Sequence, residues 1–85
     1  MYQIIFKQSA NKELMQISKL AISKVITAIG GLAFNPKPVG IKKLKNSSED
    51  LYRIRVGDYR IIYAIEDEIR IINIRKIGHR KDIYR

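Results

Sequence analysis

A chain of 85 residues, 46% hydrophobic and without cysteine, is long enough for one modest core and excludes both a disulfide scaffold and thiolate metal sites. Its net charge of +9 and pI near 10.0 favour a nucleic acid, an anionic surface or an acidic partner. No apolar run approaches the roughly 20 residues of a membrane span, and the start MYQIIFKQSANKE has no basic segment followed by an apolar run, so a single cytoplasmic domain over residues 1–85 is expected.

Residues 1–50 hold eight Lys/Arg against three acids and residues 51–85 nine against five. Basic side chains thus belong to the folded elements and not to a charged tail. Tyr2 to Gln8, rich in β-branched and aromatic residues, predicts a first strand. Ser9 is a candidate N-cap for a helix carrying Ala10, Leu14 and Ile17 on one stripe, with Met15 beside it. Ser18 marks a break before a second helix with Leu20, Ala21, Val25, Ala28, Ile29 and Leu32, widened by Ile22 and Ile26. Lys12, Lys19 and Lys24 fall on the solvent side. Gly30-Gly31 is expected to end or fray this helix, and Asn35-Pro36-Lys37-Pro38 cannot continue it.

Val39 to Leu44 reads as a short edge strand, with Lys42, Lys43 and Lys45 discouraging self-pairing or touching phosphate. Lys45 to Asp50 is a polar loop. The run LYRIRVGDYRIIY, Leu51 to Tyr63, is a β-hairpin with Gly57-Asp58 as its loop. That loop sets Val56 opposite Tyr59, Arg55 opposite Arg60, Ile54 opposite Ile61 and Tyr52 opposite Tyr63. Alternation then sends Tyr52, Ile54, Val56, Tyr59, Ile61 and Tyr63 to one face, and Arg53, Arg55 and Arg60 to the other. Like charges directly opposite on a sheet are unfavourable, so this is either a plain solvated basic face or a surface for a polyanion. Glu66-Asp67-Glu68 makes the next turn and Ile69 to Ile77 the last strand. With Asp67-Glu68 as the loop, Ile61 faces Ile74, Tyr63 faces Ile72, Ile62 faces Asn73 and Arg60 faces Arg75, adding a fourth arginine to an uncovered face. The tail after Gly78 is expected within reach of that face. The class is α+β, in the order β-α-α-β-β-β: two N-terminal helices on one face of a small, mainly antiparallel sheet.

Three segments in this order, the strand pair Arg53 and Arg55, then GDYRIIY, then IGHRKDIY, resemble the RelE/ParE superfamily of toxins, in particular its RelE branch. The similarity is strongest from Tyr52 to Tyr84 and fainter through QSANKELMQI, AIGGLAFNPKP and IKKLK. The resemblance implies a toxin of a type II toxin–antitoxin system that cuts messenger RNA in the ribosomal A site without metal or other cofactor. The ribose 2′-OH would be the nucleophile, and a RelB-like acidic antitoxin the neutralising partner, in a complex able to sit on operator DNA. Carried over residue by residue, Arg53, Arg55 and Arg60 would stabilise the phosphate and its transition state, Arg80 would protonate the leaving group and Tyr84 would stack or orient. Arg75, Lys76 and Lys81 would add contacts to RNA.

One departure bears on mechanism. The strand positions of Arg53 and Arg55 are often lysine in the family. A lysine with lowered pKa can act as a base, whereas a guanidinium stays protonated. His79, the one histidine, is a candidate base beside Arg80, against a plain tail role. Tyr84 is a second candidate, though its pKa near 10 would have to fall considerably. Two other functions stand beside the nuclease: a gyrase-directed toxin of the ParE branch, and a non-catalytic basic module working in a repressor complex.

Overall fold

Seven elements, β1 (Gln3–Phe6), α1 (Gln8–Gln16), α2 (Lys19–Leu32), β2 (Lys42–Lys43), β3 (Leu51–Val56), β4 (Tyr59–Glu66) and β5 (Ile71–His79), follow one another in a computed structural model that describes residues 1–45 and 48–79. The strands form one sheet in the order β1-β5-β4-β3-β2, with β1 parallel to β5 and the other pairs antiparallel. This is the α+β architecture expected, with the short edge strand at Lys42–Lys43. Helix α1 lies against β5 and α2 against β3. Their buried stripe of Ala10, Leu14, Val25, Ile29 and Leu32 closes over Ile54, Ile61, Tyr63, Ile72, Ile74 and Ile77 of the sheet. Among the described residues no helix is long and apolar enough to cross a membrane.

Two helix ends differ from expectation. Ser9 is not the N-cap of α1; the cap is Lys7, which makes no side-chain capping bond. Its carbonyl receives the amide of Asn11, and burial of Ala10 and Leu14 holds the helix without a polar cap. Ser18 does cap α2, its hydroxyl accepting from the amide of Ala21 at 3.3 Å. Gly30-Gly31 does not end α2, which continues to Leu32. Glycine costs a helix interior roughly 1 kcal/mol relative to alanine, and the burial of Ile29 and Leu32 on either side of the pair offsets it.

The β3–β4 register is the one expected, from Val56 opposite Tyr59 to Tyr52 opposite Tyr63. Gly57 has φ +59, and a positive φ at the first of two loop residues is the II′ pattern that glycine there allows. The β4–β5 register is a correction. The turn is four residues, Asp67 to Arg70, with Arg70 at φ 56. Tyr63 therefore faces Ile74 and Ala64 faces Asn73, and a bulge then leaves Ile62 opposite Lys76, Ile61 opposite Ile77 and Arg60 opposite Gly78. A bulge sets two residues against one, so Arg75 and Lys76 share the place across from Ile62. Arg60 and Arg75 are not opposed. The insertion also keeps Ile72, Ile74 and Ile77 all in the core, which strict alternation would deny to Ile77.

Tyr63 is wholly buried, and its hydroxyl donates to the carbonyl of Pro36 at 2.7 Å, tying the loop after α2 to the sheet. Its ring centroid lies 6.1 Å from that of Tyr52, so these tyrosines serve packing. Burial raises the Tyr63 pKa well above its ordinary value. The unfolded chain loses this proton near pH 10 while the folded chain retains it, so stability falls as pH rises above about 10, by up to ~1.4 kcal/mol per pH unit. Tyr63→Phe should cost about 1 kcal/mol at pH 7 and flatten that alkaline decline; denaturant melts of parent and variant between pH 8 and 11 measure both effects.

Candidate nucleic-acid interface

The face of the sheet away from the helices collects the cations in rows set by strand register. One row runs from Lys42 to Arg53, then Ile62, then Arg75 and Lys76. The next runs Arg55, Arg60, Gly78. Adjacent strands are about 4.8 Å apart, so Arg53 and Arg60 lie on neighbouring strands in neighbouring rows. Beyond Arg53 the outer partner β2 has ended, and beyond Ile74 so has β1. The sheet is there only three strands wide, and the Arg55–Arg60 row occupies this narrow end.

The expectation of an uncovered face needs correction. Arg53 and Arg60 are 8% and 5% exposed, while Arg55 is exposed. One Arg60 Nη donates to the carbonyl of Tyr59 at 3.3 Å, which pins the guanidinium close to the strand. Burying guanidinium groups costs desolvation free energy, and apolar residues at such positions usually serve stability as well or better. Two arginines held in this way on one face are therefore a poor solution for packing and a suitable one for a preorganised anion site.

Arg75 reaches this face through the bulge and is already engaged. Its Nη1 and Nη2 donate to Glu49 Oε2 and Oε1 at 2.6 and 2.7 Å, two parallel charge-assisted bonds. The hydrogen bonds from Arg75 hold the Glu49 carboxyl below the usual carboxylate range. Lys43 forms an exposed ion pair with Asp50 at 3.1 Å, whereas Lys42 sits beside Arg53 in the cationic row.

His79 does not join the arginines. It pairs with Tyr59 on the helix-covered side, the ring centroids 5.7 Å apart in an edge-on arrangement. The two rings line a cleft of about 330 Å³ with Glu13 and Gln16 of α1 and with Ile17, the residue that follows it. Glu13 takes part in the strand as well, since its Oε1 accepts the amide of Ile77 at 3.1 Å, beyond the last residue that β1 pairs with. Nothing in residue type alone singled out Glu13 or Glu49; both act across more than 25 residues of chain, and only the fold brings them to β5. Arg80, Lys81 and Tyr84, expected to protonate, bind RNA and stack, lie outside the described residues.

The sequence and the fold have counterparts among known proteins. The sequence model for the ParE toxin of type II toxin–antitoxin systems, parDE, matches residues 4–84. The toxin RelG of Mycobacterium tuberculosis is 33% identical over 85 residues, spanning 99% of this chain and 97% of its own. The toxin RelE of the same organism is 35% identical over 85 residues, spanning 99% of this chain and 87% of its own. Among solved structures, a chain of the archaeal RelE–RelB complex from Pyrococcus horikoshii superimposes with a TM-score of 0.82 at 28% identity, over 95% of this chain and 97% of that one.

Proposed function

This chain belongs to the RelE/ParE family of toxins of type II toxin–antitoxin systems, and we propose that it is a ribosome-dependent endoribonuclease of the RelE kind, cutting messenger RNA in the A site. The observation that carries this reading is the pair of buried arginines, Arg53 and Arg60, in neighbouring rows of one sheet face, with exposed Arg55 directly opposite Arg60. In the proposed step the 2′-hydroxyl gives its proton to solvent as its oxygen attacks the adjacent phosphorus, and the P–O5′ bond breaks as the leaving 5′-oxygen takes up a proton. The products are a 2′,3′-cyclic phosphate and a free 5′-hydroxyl. The pentacoordinate transition state carries more negative charge than the diester, and arginines fixed beforehand at that charge stabilise it without reorganising. Their planar forks match paired phosphate oxygens.

None of Arg53, Arg55 and Arg60 accepts a proton at neutral pH, so their part is confined to charge stabilisation. Arg80 is assigned the protonation of the leaving oxygen and Tyr84 the stacking of a base, both on the strength of the family resemblance. His79 is left outside the site, because it faces Tyr59 on the helix side of the sheet. The proposed partner is a RelB-like antitoxin, the kind of protein with which the Pyrococcus relative forms its complex. An acidic chain suits the +9 charge, and such a pair would act in the cytoplasm.

The description of the matching family model keeps a ParE-like, gyrase-directed toxin as the second reading. Induced expression separates the two. Transcripts with new 5′ ends within codons of translated frames support the nuclease. Intact transcripts with accumulating DNA breaks would replace it with the gyrase poison.

A further inference from the structure

Resting on the reading of the arginine face as an RNA surface, we propose that Glu49 is a built-in competitor for RNA: its carboxylate occupies the two-pronged phosphate site of Arg75, and a phosphodiester binds there only when Glu49 swings away. The two Nη–Oε contacts of 2.6 and 2.7 Å are the geometry in which a guanidinium grips two phosphate oxygens. The carboxylate is the intramolecular stand-in for that anion.

The location suits the role. Through the bulge, Arg75 lies in the row of Lys42 and Arg53, roughly 10 Å from Arg53 across two strand spacings. A single strand passing the buried pair would meet Arg75 next. Glu49 comes from the loop before β3 and crosses β4 to reach β5, so its carboxylate extends over the cationic face. The pair is also open to solvent. Its side chains are 51% and 25% exposed for Glu49 and Arg75, so water can take over the carboxylate's bonds while a phosphodiester, the same bidentate acceptor, takes over those of the guanidinium. A polyanion already held by Arg53, Arg55 and Arg60 gains another contact by displacing Glu49, whereas an anion that touches Arg75 alone gains little. Glu49 thus penalises loose, non-specific RNA binding and spares the fully seated substrate.

A plain brace, holding the loop before β3 against β5, would have a different signature. Removing it would lower the melting temperature and leave RNA binding unchanged. The test measures binding of a short 2′-O-methyl RNA oligonucleotide, which cannot be cut because its 2′-oxygens are blocked, by fluorescence anisotropy across a potassium chloride series. The proteins are the full-length parent, Glu49→Gln, Arg75→Ala and the double variant, with Glu49→Ala as a second way of removing the carboxylate and thermal melts to verify folding.

The expected result is tighter binding by Glu49→Gln at low salt, with the slope of log affinity against log salt steeper by about 0.7, the value for one further contact to a single-stranded phosphate. Arg75→Ala should weaken the parent less than it weakens Glu49→Gln, whose whole gain it should remove. Parent-like affinity and slope in both Glu49 variants overturn the proposal, as does an Arg75→Ala loss that is equal in the two backgrounds. In either case RNA still binds, and the proposed function is untouched. No binding by any of the proteins at any salt overturns the RNA-face reading itself, and the competitor with it.

Discussion

Arg60→Ala is expected to lower messenger-RNA cleavage on ribosomes by about 10²–10³-fold, the usual loss when one preorganised transition-state donor is removed. Arg60 sits at 5% exposure, opposite Arg55 and next to the row of Arg53, and its guanidinium is held against the strand by the bond to the Tyr59 carbonyl. Arg60→Lys should recover only a small part of the rate, because an ammonium keeps the charge and loses the bidentate fork. Both variants should fold, as shown by a cooperative melt, so that the loss is assigned to the site. Cleavage by a folded Arg60→Ala protein within a few-fold of the parent would remove Arg60 from the machinery.

The second large effect concerns the strand that carries Arg75 into place. Ile77→Ala should destabilise the fold by about 2–5 kcal/mol, the range for truncating a buried isoleucine. At about 4–8 °C per kcal/mol for a domain of this size, the melting temperature falls by roughly 8–40 °C or the chain does not fold. Lys76→Ala, at an exposed position, should change stability by no more than about 0.5 kcal/mol. Strict alternation from Ile72 and Ile74 would instead put residue 76 in the core and residue 77 outside. A large loss at Lys76 with a small one at Ile77 would therefore mean that the bulge is wrongly placed, and the position of Arg75 with it.

That bulge also explains much of what could and could not be read beforehand. The β3–β4 hairpin was legible because its two-residue loop has a glycine where a positive φ is needed, and a two-residue loop leaves one register. Both helices were legible from apolar periodicity and from the Ser18 cap. The β4–β5 pairing was not, because the left-handed position of its turn is taken by Arg70 and not by glycine. With isoleucines at 69, 71, 72 and 74, neighbouring registers look alike.

One inserted residue then turns every later side chain to the other face. Unbroken alternation places His79 with the arginines; the bulge turns it toward Tyr59. A signal was present in Ile74-Arg75-Lys76-Ile77, two charges between two apolar residues where a strand with one buried face should show one. The candidate site was half legible in the same way. Arg53, Arg55 and Arg60 followed from period-two alternation, whereas their depth of burial and the Glu49–Arg75 pair are tertiary, set by which loop crosses which strand.

If the cationic face promotes 2′-OH attack on messenger RNA held by the ribosome, as proposed, cleavage depends on the 2′-oxygen beside the scissile phosphate. The most direct measurement uses purified ribosomes programmed with a short message whose A-site codon is ribose throughout, or carries a single 2′-deoxy nucleotide on the 5′ side of the scissile phosphate. The expected result is cleavage of the all-ribose message to a 2′,3′-cyclic phosphate and a 5′-hydroxyl, with no cleavage at that bond in the deoxy message. Equal cleavage of both messages, or an uncut ribose message under a folded and growth-inhibitory protein, would contradict it.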